Sequence, residues 1–285
     1  MQIIEVNMLN SNFKSPSILF VVVLYRCKIE ECLTYKSLLH ELNHEDIFVY
    51  DNSPFKQNTN LKVGEYISDT SNSGLSVAYN TAAEYARQKG YEWLLLLDQD
   101  TTFPKGAYNE YLRAIRQNPD IHMIVPKHKI STGMFISPTK FNNYVSREQE
   151  RVLDGVVSFV DACPINSGIL VDLISFVSAG GYAPAVYLDF SDICFIKKYE
   201  KYFREFYVLP SVTCFQQYSV EELDFDKTLS RYKIWLDCVL NISFDMRREK
   251  MDTLMFVLRR TISLCKSFRS LKFIEFFLSQ LNRMF

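Results

Sequence analysis

The sequence predicts an α/β protein built on a Rossmann-like, mostly parallel sheet flanked by helices, with a helical appendage at its C-terminal end. Three observations carry this reading. Ile18–Tyr25 (ILFVVVLY) and Leu94–Leu97 are short apolar runs suited to strands buried on both faces. Strand-like and helix-like segments alternate up to residue 100, as βαβ crossovers require. From Asp245 onward, apolar residues recur at helical spacings among basic ones.

The elements follow in order. After the first strand, Ile29, Leu33, Leu38, Leu39 and Leu42 recur at near-helical spacing, so a helix is predicted through Asn43. Asp46–Tyr50 is a second strand, closed by Asp51-Asn52-Ser53-Pro54, where Pro stops regular structure and the Asx side chains favour a turn. Lys62–Ser68 gives a third strand. Ser71-Asn72-Ser73-Gly74 is a turn opening a helix over Leu75–Lys89, and Gly90 fits its C-terminal cap. The fourth strand is the Leu94–Leu97 run. Then come a helix over Gly106–Gln117, a strand over His122–Pro126, a polar stretch over 127–155 with a hairpin expected in it, and a strand over Val156–Ala162 entering Asn166-Ser167-Gly168. Ile169–Val177 continues apolar, and the paired glycines of Ser178-Ala179-Gly180-Gly181-Tyr182 allow close backbone approach.

Composition narrows the function. A chain of 285 residues with 48% hydrophobic and 23% charged residues can bury a substantial core. No apolar run approaches the ~20 residues of a membrane span, and no signal-peptide pattern opens the chain. The seven cysteines are scattered without metal spacing and read as reduced thiols of a cytosolic protein. No G-x-G-x-x-G follows the first strand and no G-x-x-x-x-G-K-[ST] occurs, which argues against dinucleotide redox chemistry and P-loop phosphate transfer. The net charge of −1 hides an asymmetry: residues 245–285 hold nine Lys and Arg against four Asp and Glu, so the tail is basic and the body acidic.

The fourth strand ends in Asp98-Gln99-Asp100. Two carboxylates at the tip of a buried strand suit Mg²⁺ or Mn²⁺, hard ions that take carboxylate oxygens and leave positions for a nucleotide diphosphate. The carboxyl ends of parallel strands are also where such sheets bind ligands. A plainer reading has the pair cap a turn or helix begun by Thr101, Thr102 and Pro104. Farther on, Tyr187–Tyr199 places Asp189 and Asp192 three apart, on one side of a helix if the segment is helical. There the plainer reading is stabilisation by the helix dipole.

The order VVLY, VYDNS, NSGLSVAYN, WLLLLDQD, INSGIL and GGY…YLDFSD resembles the family 2 glycosyltransferases with the GT-A fold, and within them the bacterial rhamnosyltransferase-like group, over Ile18–Tyr218. The resemblance implies an inverting, metal-dependent transfer of a sugar, rhamnose among the candidates, from a nucleotide-diphosphate sugar to a glycan or lipid-linked acceptor in surface polysaccharide synthesis. It implies that Tyr25 and Asp51 contact the nucleoside, that Asn72 and Gly74 line the nucleotide sugar, and that Asn80 supports that loop. Asp98 and Asp100 correspond to the D-x-D pair, with Asp100 the more direct ligand of the Mg²⁺ or Mn²⁺ cofactor, and Asp192 corresponds to the catalytic base with Asp189 its companion. One departure stands out. Where relatives often carry a metal-reaching His, this chain has Phe215-Gln216-Gln217, so Gln217 or Gln216 would supply an amide oxygen, or the metal site is looser.

On this reading, residues 1–16 are a loose arm, 17–225 a catalytic domain divided at 100 into nucleotide-binding and acceptor-binding halves, and 226–285 a basic amphipathic helical region. Two other readings are weighed. LLLLDQDTT also matches the D-x-D-x-T of haloacid-dehalogenase-like phosphatases, with Asp98 as nucleophile, but that motif normally ends the first strand of its domain. A non-catalytic carbohydrate- or membrane-binding module is the other. The tail predicts two amphipathic helices joined near Ser267–Ser270. Their apolar stripe either packs on the catalytic domain, or on a second copy of the chain as in a homodimer, or rests on an anionic membrane at the cytoplasmic face. Nothing points to nucleic acid.

Overall fold

The structure is a computed structural model that describes residues 15–57, 60–142, 145–146, 148–216 and 224–280. The arm expected over residues 1–16 lies almost wholly outside the described residues. Strand β1 (Ile18–Leu24) is buried throughout. It is followed by a 3-10 turn at Ile29–Glu31, a short helix α1 (Leu33–Ser37) and another 3-10 turn at Leu39–Glu41. The single helix expected through Asn43 is therefore broken into short pieces. The physical reason is tertiary: the Leu33 N–H donates to Gln99 O at 2.9 Å, and the Thr34 hydroxyl reaches the carbonyls of Asp98 and Thr101. Those contacts hold α1 across the end of the central strands.

Strands β2 (Ile47–Asp51) and β3 (Glu65–Ser68) come next, then helix α2 (Leu75–Lys89), with Gly90 in the left-handed conformation that closes it. Strand β4 (Trp93–Asp98) carries the leucine run, and β5 (Thr101–Thr102) follows at once. Helix α3 (Ala107–Gln117), β6 (Met123–Lys129) and β7 (Phe135–Ser137) lead to a small hairpin of β8 (Phe141–Asn142) and β9 (Val145–Ser146). That hairpin and the antiparallel β6–β7 pair lie in the stretch where a hairpin is expected. Next are β10 (Gly155–Ser158), β11 (Ile169–Asp172), α4 (Leu173–Ser178), α5 (Ser191–Tyr199) and β12 (Glu205–Gln216). The chain then forms three helices, α6 (Phe225–Leu240), α7 (Arg247–Phe268) and α8 (Lys272–Gln280).

The main sheet runs β10-β12-β6-β11-β4-β1-β2-β3. Its second half, β4-β1-β2-β3, is parallel throughout, and β12 pairs parallel with β6; β11 and β10 run antiparallel to their neighbours. The sheet is thus mostly parallel and flanked by helices, the GT-A arrangement. Residues alternate strictly between faces. Leu19, Val21, Val23, Leu94 and Leu96 enter one core with α2, α4 and α5, while Ile18, Phe20, Val22, Leu95 and Leu97 enter the other with α1 and α3. A third core joins Tyr232, Trp235, Leu236 and Val239 of α6 to Val257 of α7 and Phe273 and Phe277 of α8. β12 is absent from the sequence-based expectation. Pro210 interrupts its pattern, and its register on β6 shifts between Val208 and Thr213.

Candidate functional site

The Asp98–Asp100 turn is held by its surroundings rather than by a helix that follows. The Asp98 N–H donates to Ser167 Oγ at 3.3 Å, and that oxygen lies 2.7 Å from the Thr101 hydroxyl, itself fully buried. Gln99 turns back on the end of β1: its Oε1 accepts the Tyr25 N–H at 2.8 Å and its Nε2 donates to Tyr25 O at 3.2 Å. Neither carboxylate caps a helix. Helix α3 begins at Ala107 after Gly106, and Thr101 and Thr102 pair with Gln216 and Phe215 as a strand. The helix-capping explanation of the pair does not hold, while Gln99 and Asp100 do form a turn.

Above this turn opens a cavity of about 800 Å³, at the carboxyl ends of β1, β2 and β4. Asp98, Asp100, Glu148, Asp189 and Asp192 line it, with Arg231 the one lysine or arginine among its described lining residues. Burial pushes the Asp98 carboxyl up to about 7, and the nearby Asp100 charge adds to this against a hydrogen bond from the Tyr79 hydroxyl at 3.1 Å. Burial also raises Asp100, whose Oδ1 has no hydrogen-bond partner, while the neighbouring Gln216 side chain acts in the opposite direction. Asp192 is pushed up to about 6 by burial; the Ile193 N–H, 2.8 Å from its Oδ1, opposes this and the Asp189 charge adds to it. Three carboxyl groups with raised proton affinity thus meet at one cavity, an arrangement that costs stability and characterises functional sites.

Asp189 and Asp192 do not share a helix face, because α5 begins only at Ser191. Asp189 lies in the preceding loop, gripped through both carboxylate oxygens by the Arg231 guanidinium of α6, with Nη2 2.7 Å from Oδ1. Asp192 sits in the first turn of α5, as the helix-dipole reading also requires, but faces the cavity.

The family model described as Glycosyl transferase family 2 matches residues 21–174, more than half of the chain. The chain belongs to glycosyl transferase family 2. No curated protein sequence matches it. Among solved structures it is similar in fold to GalNAc-T7 in a complex with UDP, GalNAc and Mn²⁺ (TM-score 0.54, 13% identity, 74% of this chain and 45% of that one). It is similar also to S. aureus TarS (TM-score 0.50, 15% identity, 85% of this chain and 43% of that one). The chain therefore spans less than half the length of either protein.

In this family 2 chain the residues expected at the nucleotide sugar divide into two groups. Tyr25, Asn72 and Gly74 line the cavity. Asp51 and Asn80 are not among the lining residues. Asp51 is fully buried, its Oδ1 accepting the Ser53 N–H at 2.9 Å and its Oδ2 the Tyr66 hydroxyl. The Asx turn within Asp51-Asn52-Ser53-Pro54 holds that carboxylate, and the adjacent Asn52 lines the cavity. Asn80 supports the site from behind, donating to Tyr182 O and accepting the Tyr182 N–H, each at 2.9 Å. Gln217 lies outside the described residues, whereas Gln216 lines the cavity beside Asp100.

Two further residues tie the site together, and the first carries no local sequence signal. Arg231 is separated from Asp189 by 42 residues. Asn166, in the Asn166-Ser167-Gly168 segment, accepts from the Tyr182 hydroxyl at 2.7 Å and donates to Ser191 Oγ at 3.3 Å, tying that segment to the start of α5. Among the described residues no group of three or more His, Cys, Asp and Glu side chains is arranged to hold a metal ion.

Proposed function

We propose that this chain is an inverting glycosyltransferase that moves a sugar from a nucleotide-diphosphate donor to a hydroxyl of a glycan or lipid-linked acceptor. The observation that carries the proposal is the convergence of Asp98, Asp100 and Asp192 on one cavity at the carboxyl ends of parallel strands. The phosphatase alternative loses its footing, since Asp98 ends the fourth strand and the chain belongs to family 2. The rhamnosyltransferase-like pattern of the sequence makes a deoxyhexose donor one to test, alongside the UDP-sugars suggested by the UDP in the GalNAc-T7 complex.

The site suits Mg²⁺ or Mn²⁺. Asp100 Oδ1 and Gln216 Oε1 are buried oxygens without partners, and Asp98 stands close enough to Asp100 to feel its charge. Asp98 and Asp100, with Gln216 in place of the His common in relatives, would hold the ion, and two carboxylates with one amide bind it weakly until a diphosphate adds its own oxygens. When bound, the ion offsets negative charge on the departing diphosphate. The remaining chemistry belongs to the chain. Asp192, with a proton affinity near the operating pH, accepts the proton of the acceptor hydroxyl. Asp189 orients that hydroxyl, and Tyr25, Asn52, Asn72 and Gly74 surround the donor.

The acceptor side is proposed to meet an anionic membrane. On the outer face of α7, Arg248, Met251, Met255, Arg259, Ile262 and Lys266 fall within one arc of the helix, and all are exposed. No helix of the described residues is long and apolar enough to cross a membrane, so contact there would be peripheral, at a cytoplasmic face.

A screen of nucleotide sugars with Mn²⁺ or Mg²⁺ tests the donor assignment, because a ligand at ~100 times its dissociation constant stabilises the fold by about 2.7 kcal/mol. With the donor in hand, Asp192→Asn should lose ~10²- to 10⁴-fold in transfer rate while donor affinity is kept. Transfer at the wild-type rate would overturn the assignment of the base. Asp100→Ala should abolish the metal dependence of nucleotide binding in calorimetry, and unchanged metal dependence would remove the ion from this site.

A further inference from the structure

The loop that precedes Asp192 is gripped by one face of α6. Arg231, Trp235 and Cys238 recur at i, i+4 and i+7, and each touches a different part of residues 188–190. The Arg231 guanidinium takes both oxygens of Asp189. The Trp235 ring lies 6.1 Å from that of Phe190, and the Arg260 guanidinium sits over its indole at 4.3 Å. Cys238 is fully buried and packs in one apolar cluster with Leu188 and Phe190.

What this grip holds is unusual backbone. Phe190 is in the left-handed region, with φ 64° and ψ 4°, and it is the N-cap residue of α5. A bulky residue adopts that conformation only where its surroundings over-determine it. From the other side the same loop is held by α2: the Leu75 N–H and the Ser76 hydroxyl donate to Tyr187 O and Val186 O at 2.7 and 2.6 Å. The direction of α5 out of Phe190 decides where Asp192, two residues on, enters the cavity. None of the residues on this loop or on α6 falls within the family-matched 21–174.

We propose that α6 is a positioning helix for the reaction: through Arg231, Trp235 and Cys238 it fixes the 187–190 loop and so aims Asp192, making the C-terminal helices an integral part of the site. The part of this that concerns transfer rests on the reading of Asp192 as base; the part that concerns the loop does not. Arg231 acts here through Asp189 and the loop and not on the reacting atoms. Bidentate pairing is what a guanidinium supplies and an ammonium supplies only in part, so graded rescue is expected.

The experiment uses the full chain and two readouts. In Arg231→Met, hydrogen exchange at the amides of 187–193 should accelerate by about 10-fold or more while the β1 and β4 amides keep their protection. Unchanged exchange at 187–193 overturns the clamp, whatever the activity. Turnover is read as nucleoside diphosphate released with Mn²⁺ from UDP-N-acetylglucosamine, UDP-N-acetylgalactosamine and dTDP-rhamnose. Arg231→Met should lower kcat by about 10- to 100-fold, the cost of a slightly misplaced group, with donor KM nearly unchanged. Arg231→Lys should recover part of both effects, and Arg231→Met combined with Asp189→Asn should be little worse than the more impaired single variant, as coupled residues behave. Accelerated exchange with wild-type kcat removes the positioning role. Asp192→Asn, run in parallel, separates the cases: if it too turns over normally, the base assignment has failed and the exchange data alone judge the clamp. Should Arg231→Met not fold, Arg231→Gln removes the charged bidentate grip with a polar side chain in its place, and unchanged 187–193 exchange in that variant equally overturns the proposal.

Discussion

Asp192 and Asp98 are ionisable groups kept where ionisation is unfavourable, and this has consequences measurable without any substrate. Asp192 has a folded-state value of about 6 against an unfolded value of 3.8, so it favours the folded state fully below about pH 4, and that contribution is lost as pH rises through about 6. Asp192→Asn, which never ionises, should therefore be the more stable protein at pH 8 by of order 1–3 kcal/mol, raising Tm by about 2–6 °C, with the difference vanishing near pH 4. Thermal unfolding at both pH values checks it; equal melting at pH 8 would mean that the carboxylate is better solvated than the cavity suggests. The same group predicts that the transfer rate climbs through about pH 6 as the base loses its proton, and that the limb moves or disappears in the Asn variant. A more stable but inactive variant is the trade expected where activity requires a buried charge.

Two glycines show how differently one residue type can serve an element. Gly74 opens α2 at φ 91°, and a Cβ there would meet Tyr187 O at 2.4 Å. Gly90 closes the same helix at φ 78° with nothing within 4 Å of its Cβ position. Gly90→Ala should cost about 1–2 kcal/mol, the left-handed penalty alone, and leave UDP binding with Mn²⁺ intact. Gly74→Ala should cost more and weaken that binding, because moving Tyr187 disturbs a lining loop and the 187–190 segment together; calorimetry and melting on both variants check the contrast. Elements such as α2 were legible because local signals agree: a turn, a uniform 15-residue helical pattern and a glycine stop. The leucine run of β4 declared itself by being apolar on both faces. Legibility failed where distant partners decide. The segment after β1 has helical spacing, yet the Asp98–Thr101 turn captures Leu33 and Thr34 and breaks it. β12 hides behind Pro210 and a register shift. In the candidate site, Asp98 and Asp100 stand out in the chain as carboxylates after a buried run, whereas Arg231 looks like any exposed helix residue until the fold brings it to Asp189. Asp51 shows a local pattern of its own, since its side chain closes the turn that follows β2.

At the scale of the molecule, the acidic cavity and the basic outer face of α7 divide the charge between two surfaces. The membrane proposal is best tested by reversal rather than removal. Cutting the chain after Asp245 would uncover Tyr232, Trp235, Leu236 and Val239, which α7 and α8 bury, and the product would aggregate for that reason alone. Arg248→Glu, Arg259→Glu and Lys266→Glu together change only exposed positions, so Tm should stay within a few degrees, while co-sedimentation with phosphatidylserine-containing vesicles should be lost, each cation near the lipid contributing ~1 kcal/mol. Wild-type protein that ignores such vesicles at low salt would end the proposal. The sheet order also bears on how the chain is made. β12, the last strand in sequence, lies between β10 and β6, so the edge of β6 that β12 covers stays open from its synthesis until residue 216 has emerged. At ribosomal speeds that interval lasts about 5–20 s, during which the nascent chain offers the strand Met123–Lys129, half of it apolar, to any neighbour that can extend a sheet. Expression yield should thus respond to elongation rate across codons 130–216 and to chaperones that shield strand edges, more than to anything in the first hundred residues.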